Sequence, residues 1–415
     1  MTKLSFSVLQ SRSFRLLLIT RMFTQMALQA QAVIVGWQVY SLTKDVFLLG
    51  LTGLVEAIPA IGCAFFAGHI VDNTSPKKVY ALCTGAMALN MLMLLLLAGG
   101  YIPLSEHALL IAIFVGVFIS GVERSFNRPA SSSMLPLIVE RSSMPAAAWQ
   151  TSTFQIAVIG GPALAGLIYG GYGVHSAWLL PVFLMISAFF MSLFIKISPR
   201  LEQAAKREPV WTSIKAGWTF IWNHHVLLPV MALDMFSVLF GGAVAMLPAY
   251  ADQILHVGAE GLGALRAAPA IGAVIMAVIL SVQPLRYLSA KRLLWVFAGF
   301  GICMIGFGLS KIFWLSMVFL AVSGALDSIN MVIRGTLMQL LTPNNMLGRV
   351  SSINSMFVSS SNEIGAFESG TAARLMGLVP SVVFGGVCTL LIVGMTAFLA
   401  PKFRETIVDA HDQKT

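Results

Sequence analysis

Stretches of roughly 20 apolar residues recur from one end of this chain to the other, each long enough to cross a ~30 Å hydrocarbon layer as a helix. No other feature constrains the fold as much. One such run could be a core helix of a soluble protein, but a dozen could not. In hydrocarbon the backbone must satisfy its own hydrogen bonds, so only helices and closed barrels cross it. A barrel would show short alternating segments, and this sequence does not read that way. The residue balance agrees. Of the 415 residues 57% are hydrophobic and 10% charged, where soluble domains carry about 25% charged. The expected class is an all-α polytopic membrane protein.

Twelve spans are read at about 14–41, 47–71, 77–100, 107–129, 146–170, 174–196, 226–251, 260–282, 290–310, 312–338, 350–376 and 380–400. The first starts near Phe14 and continues without a small-residue cleavage site, so it reads as a retained helix. Cys63, Cys83, Cys303 and Cys388 fall inside apolar spans without CxxC spacing and read as small core residues. Lysine and arginine set the orientation. With the N-terminus inside, the outward gaps carry only Lys44, Lys311 and Arg374. The inner ends and loops carry Arg12, Arg15, Lys77, Lys78, Arg141, Lys196, Arg200, Arg349 and Lys402 among others. Both termini are expected in the cytoplasm. The net charge of +9 then reads as an orientation and anionic-lipid signal, with no nucleic-acid partner implied.

The longest polar stretch, "KISPRLEQAAKREPV" (196–210), divides the spans into two sets of six. The expected organisation is an N-terminal bundle at 1–196, a cytoplasmic linker at 197–225, a C-terminal bundle at 226–400 and a cytoplasmic tail at 401–415. Within the linker, Trp211, Trp218 and Trp222 share one side of a helical wheel, as in a helix lying in the inner interface plane. His224 and His225 end it and read as an interfacial cap before a metal site. The halves also resemble each other. "ITRMFTQ" (19–25) matches "ALDMFSV" (232–238), so Arg21 corresponds to Asp234, and Arg128 corresponds to Arg334. Two pseudo-symmetric six-helix bundles describe one transporter architecture, with the substrate site near the midplane. Because one chain holds both halves, a monomer is expected.

The gap after the second span, "GHIVDNTSPKKV" (68–79), places Gly68 where helices approach, Asp72 beside a helix N-terminus, Ser75–Pro76 as a start signal for the third span, and Lys77 and Lys78 at the inner face. As an ordinary positive-inside turn it would need no further role. Span five carries "GGPALAG" (160–166). Gly68, Asp72, Lys77 and Lys78 resemble the loop signature of the major facilitator superfamily, G-x3-D-R-x-G-R/K-R/K, although Asn73 and Ser75 depart from its Arg and Gly. Gly160, Gly161, Pro162 and Gly166 are similar to the packing motif that the family's antiporters and exporters place in span five. "VGAEGLGALRAAPAIGA" (257–273), "LLTPNNMLGRVSSIN" (340–354) and "SSSNEIGAFESG" (359–370) resemble the subgroup of the enterobactin exporter and related transmembrane secretion effectors. The resemblance covers essentially the whole chain. It implies a twelve-helix major facilitator fold, a bacterial cytoplasmic (inner) membrane location, and export of a small organic molecule by alternating access. The motifs just named would be its conformational locks.

Ionisable residues at membrane depth are functional candidates. Arg21, Gln25 and Gln29 recur at i, i+4, i+8 on span one and make a polar stripe suited to lining a cavity and contacting an anionic or hydroxyl-rich solute; Arg21 could equally pair with a carboxylate. Asn330 and Glu363 join them as candidate substrate contacts. Asp327, Glu56, Asp234 and Glu363 are the candidate proton carriers, since burial favours the protonated carboxyl and a nearby arginine the ionised one. Arg21 and Asp234, as repeat equivalents, are expected to pair in one state of the cycle. Glu123 and Asp327 are the options for pairing Arg124 or Arg128. On span eleven Ser361, Gly365 and Ser369 form a small-residue stripe for close helix packing. Glu363 lies near the midplane, and Glu368 beside the stripe, a turn and a half before Arg374.

There is no G-x-x-x-x-G-K-[S/T] stretch, HExxH, nucleophile elbow or metal-ligand cluster. No enzyme activity, cofactor or metal is expected, and the energy source would be the proton gradient. The foremost reading is a proton-coupled exporter of a siderophore or drug-like compound, with protons and membrane lipids as its other partners. A lipid or lysolipid flippase and an uptake symporter on the same scaffold stay open. A non-transporting sensor fits poorly with a polar interior stripe and short tails.

Overall fold

The computed structural model describes residues 8–138, 144–197, 210–283, 287–343, 346–404 and 407–409. The membrane helices among them are α1 (Arg12–Thr43), α2 (Val46–Asn73), α3 (Pro76–Ala98) and α4 (Glu106–Ile138), a continuous run at Met144–Leu193, α7 (Leu227–Phe240), α8 (Gly258–Val282), α9 (Ala290–Leu309), α10 (Phe313–Leu341), α11 (Leu347–Met376) and α12 (Leu378–Leu399). The 50-residue run Met144–Leu193 would be about 75 Å long if straight. It is broken at Gly173, whose φ of 77° is open to glycine and strained for other residues. The break yields two crossings, α5 (144–172) and α6 (174–193).

Nine helices among the described residues are long and apolar enough to cross a membrane, with Trp149–Leu193 counted once. Dividing that run adds one. α1 and α11, 32 and 30 residues long, complete the twelve. They are also the helices that carry the polar stripes read from the sequence. Observed ends fall within a few residues of the expected spans, with two exceptions. α4 continues to Ile138, past Pro129 and Pro136. Span seven is straight helix only to Phe240. It then breaks at Gly241–Gly242 and continues as a 3-10 turn at Ala243–Met246, a short turn at Leu247–Ala249 and a π turn at Tyr250–Ile254. Pro248, which has no N–H to give, lies inside this irregular part.

The chain separates into two compact units. Unit 1 comprises Met1–Lys44, Val55–Glu208 and Gly258–Ala267; unit 2 comprises Asp45–Leu54, Pro209–Val257 and Ala268–Thr415. In unit 1, α1 and α5 meet through glycine: a Cβ on Gly161 would sit 2.7 Å from the Met26 carbonyl oxygen. Leu17, Val71, Tyr80, Ala130, Met134 and Ile195 form an apolar cluster at one end of its helices. Towards the other end, Trp178 donates to Gln38 Oε1 at 3.2 Å, and Gln38 Nε2 donates to the Ala98 carbonyl at 2.6 Å. That chain ties α1, α3 and α6 where a lone buried amide would be costly.

In unit 2, Val230, Leu233, Leu293, Phe297, Ile333 and Leu337 pack α7, α9 and α10 together. Phe403, from the segment read as a tail, is fully buried in the same cluster. Just beyond it Ile407–Asp409 pairs antiparallel with Tyr287–Ser289, so the described part of that segment is docked. The linker helix Val210–Trp222 buries Ile221 against Leu227, Met231, Val350 and Ile353. Its Trp218 and Trp222 rings stack at 5.9 Å and stay exposed; the Trp211 side chain lies outside the described residues. The small-residue stripe of α11 does what its spacing predicts. Ser361, Gly365 and Ser369 are buried, and a Cβ on Gly365 would meet the Leu239 carbonyl of α7 at 2.7 Å.

Candidate functional site

In unit 2, Asp234 of α7 forms an ion pair with Arg334 of α10. Asn330, one turn before Arg334, donates its amide to Asp234 Oδ1 at 2.7 Å and lies 3.3 Å from Asp327 Oδ1. Asp234, Asn330 and Arg334 are 3%, 1% and 7% exposed, whereas Asp327 is exposed. The i, i+3, i+7 spacing on α10 puts the three polar groups on one side of that helix. The face they share is closed at one end by a buried ion pair and open at the other by an accessible carboxylate. Asn330 touches both and can relay a change of charge between them.

Unit 1 distributes its polar groups differently. Glu56 of α2 pairs with Arg124 of α4, and both side chains are about a quarter exposed, at 25% and 24%. Separately, Gln31 of α1 donates to Ser120 of α4 at 3.0 Å. Asn90 of α3 reaches the Gly116 carbonyl and Ser120 Oγ, each at 3.0 Å, and Glu123 Oε2 at 3.4 Å. Glu123 is 7% exposed. Arg21 donates from Nη1 to Gln150 Oε1 of α5, a neutral acceptor. Gln25 and Gln29 are half-buried on the same stripe, and Gln29 lies against Gly161.

Within unit 2 Asp234 is held by Arg334, and within unit 1 Arg21 donates to Gln150. Arg124 takes as a carboxylate partner Glu56, a pairing not among those expected from the sequence. Arg374 lies over the Phe47 ring at 5.0 Å, while Glu368 accepts from its neighbour Ser369 at 3.4 Å. Glu363 is half-buried on α11, close to where that helix packs against Gly53 of α2.

The motif residues fall as follows. Gly161 packs on α1, and Gly166 meets Gly263 of α8 backbone to backbone; a Cβ there would be 2.5 Å from the Gly263 Cα. Pro162 lies within α5 between them, and a Cβ on Gly160 would meet the flexible end of Met26 at 3.0 Å. Ser75 has N-cap geometry with Pro76 next, although its hydroxyl makes no cap bond. Lys77 is half-buried and Lys78 exposed; Gly68 and Asp72 have helical backbone, and nothing beyond that lies within the described residues. His224 is a cap: Nδ1 accepts from the N–H groups of Val226 and Leu227, both at 3.2 Å. Burial, then the neighbouring His225, hold its pKa below the usual 6.5. Among the described residues no three His, Cys, Asp or Glu side chains gather as a metal site.

Nine helices among the described residues are long and apolar enough to cross a bilayer, and each unit holds a buried or half-buried ion pair and a polar stripe on its least apolar helix. The Major Facilitator Superfamily profile matches residues 17–366, and the chain belongs to that superfamily. Its members are transporters, not enzymes, and this chain is a multi-pass membrane transporter of small molecules. It is 28% identical, over 97% of its own length and 96% of theirs, to the enterobactin exporter EntS of Shigella boydii serotype 4 and to that of Escherichia coli O139:H28. Among solved structures it is similar to a POT family transporter in complex with a thioalcohol-conjugated peptide (TM-score 0.71, 11% identity, covering 95% of this chain and 97% of that one). It is also similar to a bacterial homologue of the iron transporter ferroportin in an inward-facing state (TM-score 0.68, 15% identity, covering 95% and 99%). At these identities the structural likenesses concern the fold alone.

Proposed function

We propose that this transporter is a proton-coupled exporter of a small organic molecule of the siderophore class. It works by alternating access as a monomer in the bacterial cytoplasmic membrane, with both termini inside. The observation that carries the reading is the likeness to enterobactin exporters along nearly the whole length of both chains. The lysine and arginine asymmetry of the loops supports the orientation.

In this reading Arg21, Gln25 and Gln29 on α1, with Asn330 and Glu363, contact the cargo. Asp327 is the accessible end of the proton route and Asp234 its buried end, with Glu56 and Glu363 as further carriers. A proton on Asp234 removes the carboxylate that neutralises Arg334. Breaking a buried ion pair costs about 3–5 kcal/mol. Moving a two-state equilibrium from 1:99 to 99:1 takes about 5.5 kcal/mol. One protonation is therefore of the size needed to bias the conformational cycle. Gly68, Asp72, Lys77 and Lys78 act as an inner lock, and the packing motif Gly160, Gly161, Pro162 and Gly166 gives α5 smooth surfaces on which to shift.

The test compares small molecules inside and outside cells lacking the gene with those of a complemented strain. Retention of an iron-chelating compound inside the deletion strain, relieved by complementation, supports the proposal. So does loss of export into inverted vesicles on adding a protonophore. Unchanged profiles with altered lipid asymmetry favour a flippase, and loss of uptake favours a symporter; either overturns it.

A further inference from the structure

Four arginines of the membrane helices differ in what neutralises them. Arg124 has Glu56, Arg334 has Asp234, and Arg21 has the amide of Gln150. Arg266 has nothing: among the described residues no acceptor meets any of its N–H donors, and Nε is shut away without a partner. It sits two turns into α8, about 12 Å along the axis from Gly258 and one turn before Pro269. The surroundings explain the missing counter-charge. α8 begins against α5, whose residues 144–172 include no charged side chain, and the two backbones touch at Gly166 and Gly263. The one acid of α8, Glu260, lies on the far side of that contact, exposed and packed at Gly170. The residue is not closed off, however. It keeps partial exposure, and Nε is the one guanidinium nitrogen that is fully shut away without a partner.

A charge at this depth is retained when it serves a pathway or finds a partner. A guanidinium fork with free outer nitrogens is complementary to a planar or tetrahedral oxyanion, which it binds through two parallel hydrogen bonds. We infer that Arg266 is an anion-recognition residue of the transport path and that the cargo carries an oxyanion group, a carboxylate or a group of like geometry. This rests on the transport reading and names the chemical class of its cargo. Arg21 of α1 likewise donates to an amide, and among the described residues no carboxylate is found against it.

The experiment is ligand-dependent melting of the full-length purified protein in detergent. Sodium benzoate is compared with neutral benzamide, at ionic strength matched with sodium chloride, for wild type, Arg266→Gln and Arg266→Lys. Wild type should respond to benzoate and not to benzamide. Arg266→Gln should lose that discrimination, with half-saturation weakened about tenfold or more, and Arg266→Lys should keep part of it. Without ligand, Arg266→Gln should melt at or above wild type, because a charge lacking a partner has been removed; a structural arginine would give a lower melting point. The inference is overturned if wild type treats benzoate and benzamide alike, or if Arg266→Gln discriminates as wild type does. No proton gradient or transport direction enters this assay, so its failure is distinguishable from failure of the exporter reading.

Discussion

Unit 2 links the buried pair Asp234–Arg334 to the exposed Asp327 through the buried amide of Asn330, along one side of α10. Unit 1 scatters its charges. Its ion pair Glu56–Arg124 is partly exposed, its buried acid Glu123 hangs on an amide network, and among the described residues no carboxylate is found against Arg21 or Arg266. The difference separates two uses of charge in a low-dielectric interior. In a hydrogen-bonded set of charges, adding or removing one proton is felt by every linked member. Scattered positive groups with unmet demand are suited to holding something that comes and goes. On the proposed function, the Asp234–Arg334 set of unit 2 would be the switch, and Arg21 and Arg266 of unit 1 would hold an anionic cargo.

The comparison can be broken most easily at Asp234. Asp234→Asn should lower stability by about 3–5 kcal/mol, as expected when a buried arginine loses its carboxylate, read as reversible unfolding in mixed micelles. A loss as small as that of an exposed pair would mean that Arg334 is not dependent on Asp234. Next in size is Gly161→Leu. It forces a side chain onto the Met26 carbonyl and should cost about 1–3 kcal/mol while displacing the polar stripe of α1. Unaltered melting would show that the α1–α5 contact is loose. Glu56→Gln should cost about 1 kcal/mol or less, because the pair is partly hydrated. A double-mutant cycle with Arg124→Gln measures the coupling directly, and a value matching that of Asp234–Arg334 would erase the contrast between the units.

The smallest effect is at His224, where unprotonated Nδ1 caps α7. A histidine held below its ordinary pKa contributes stability that is complete above about pH 6.5 and is lost as pH falls through the lower folded value. The cap's share, about 0.5–1 kcal/mol, should therefore fade on acidification in the wild type and be missing at every pH in His224→Ala. A pH profile unchanged by that substitution would remove the cap.

Helices were legible in the sequence wherever length and apolarity coincide. α1 and α11 could be counted because their polar residues repeat at helical spacing. The break after Phe240 was not, since Gly241–Gly242 inside an apolar run looks like any small-residue contact until α11 packs close beside it. The docking of Phe403 was also hidden, because one aromatic residue in a charged segment carries no periodicity. At the candidate site, composition and depth singled out residues but not their partners. Internal repetition made Arg21 and Asp234 equivalent, yet equivalence by symmetry does not imply contact. Each has a partner in its own unit. Arg266 escaped notice for a related reason: the absence of a counter-charge is a property of neighbouring helices and cannot be seen along one helix.

The central claim is that the Asp234–Arg334 pair is part of the machinery and not only of the scaffold. Stability and complementation of the deletion strain, measured together for Asp234→Leu, Arg334→Met and the double variant, test it most directly. Replacing both partners of a buried pair with apolar residues is often neutral or stabilising where removing one is not. The account predicts that the double variant regains near-wild-type stability, which both single variants lose, and still fails to restore export. A double variant that is stable and also exports like wild type would contradict it.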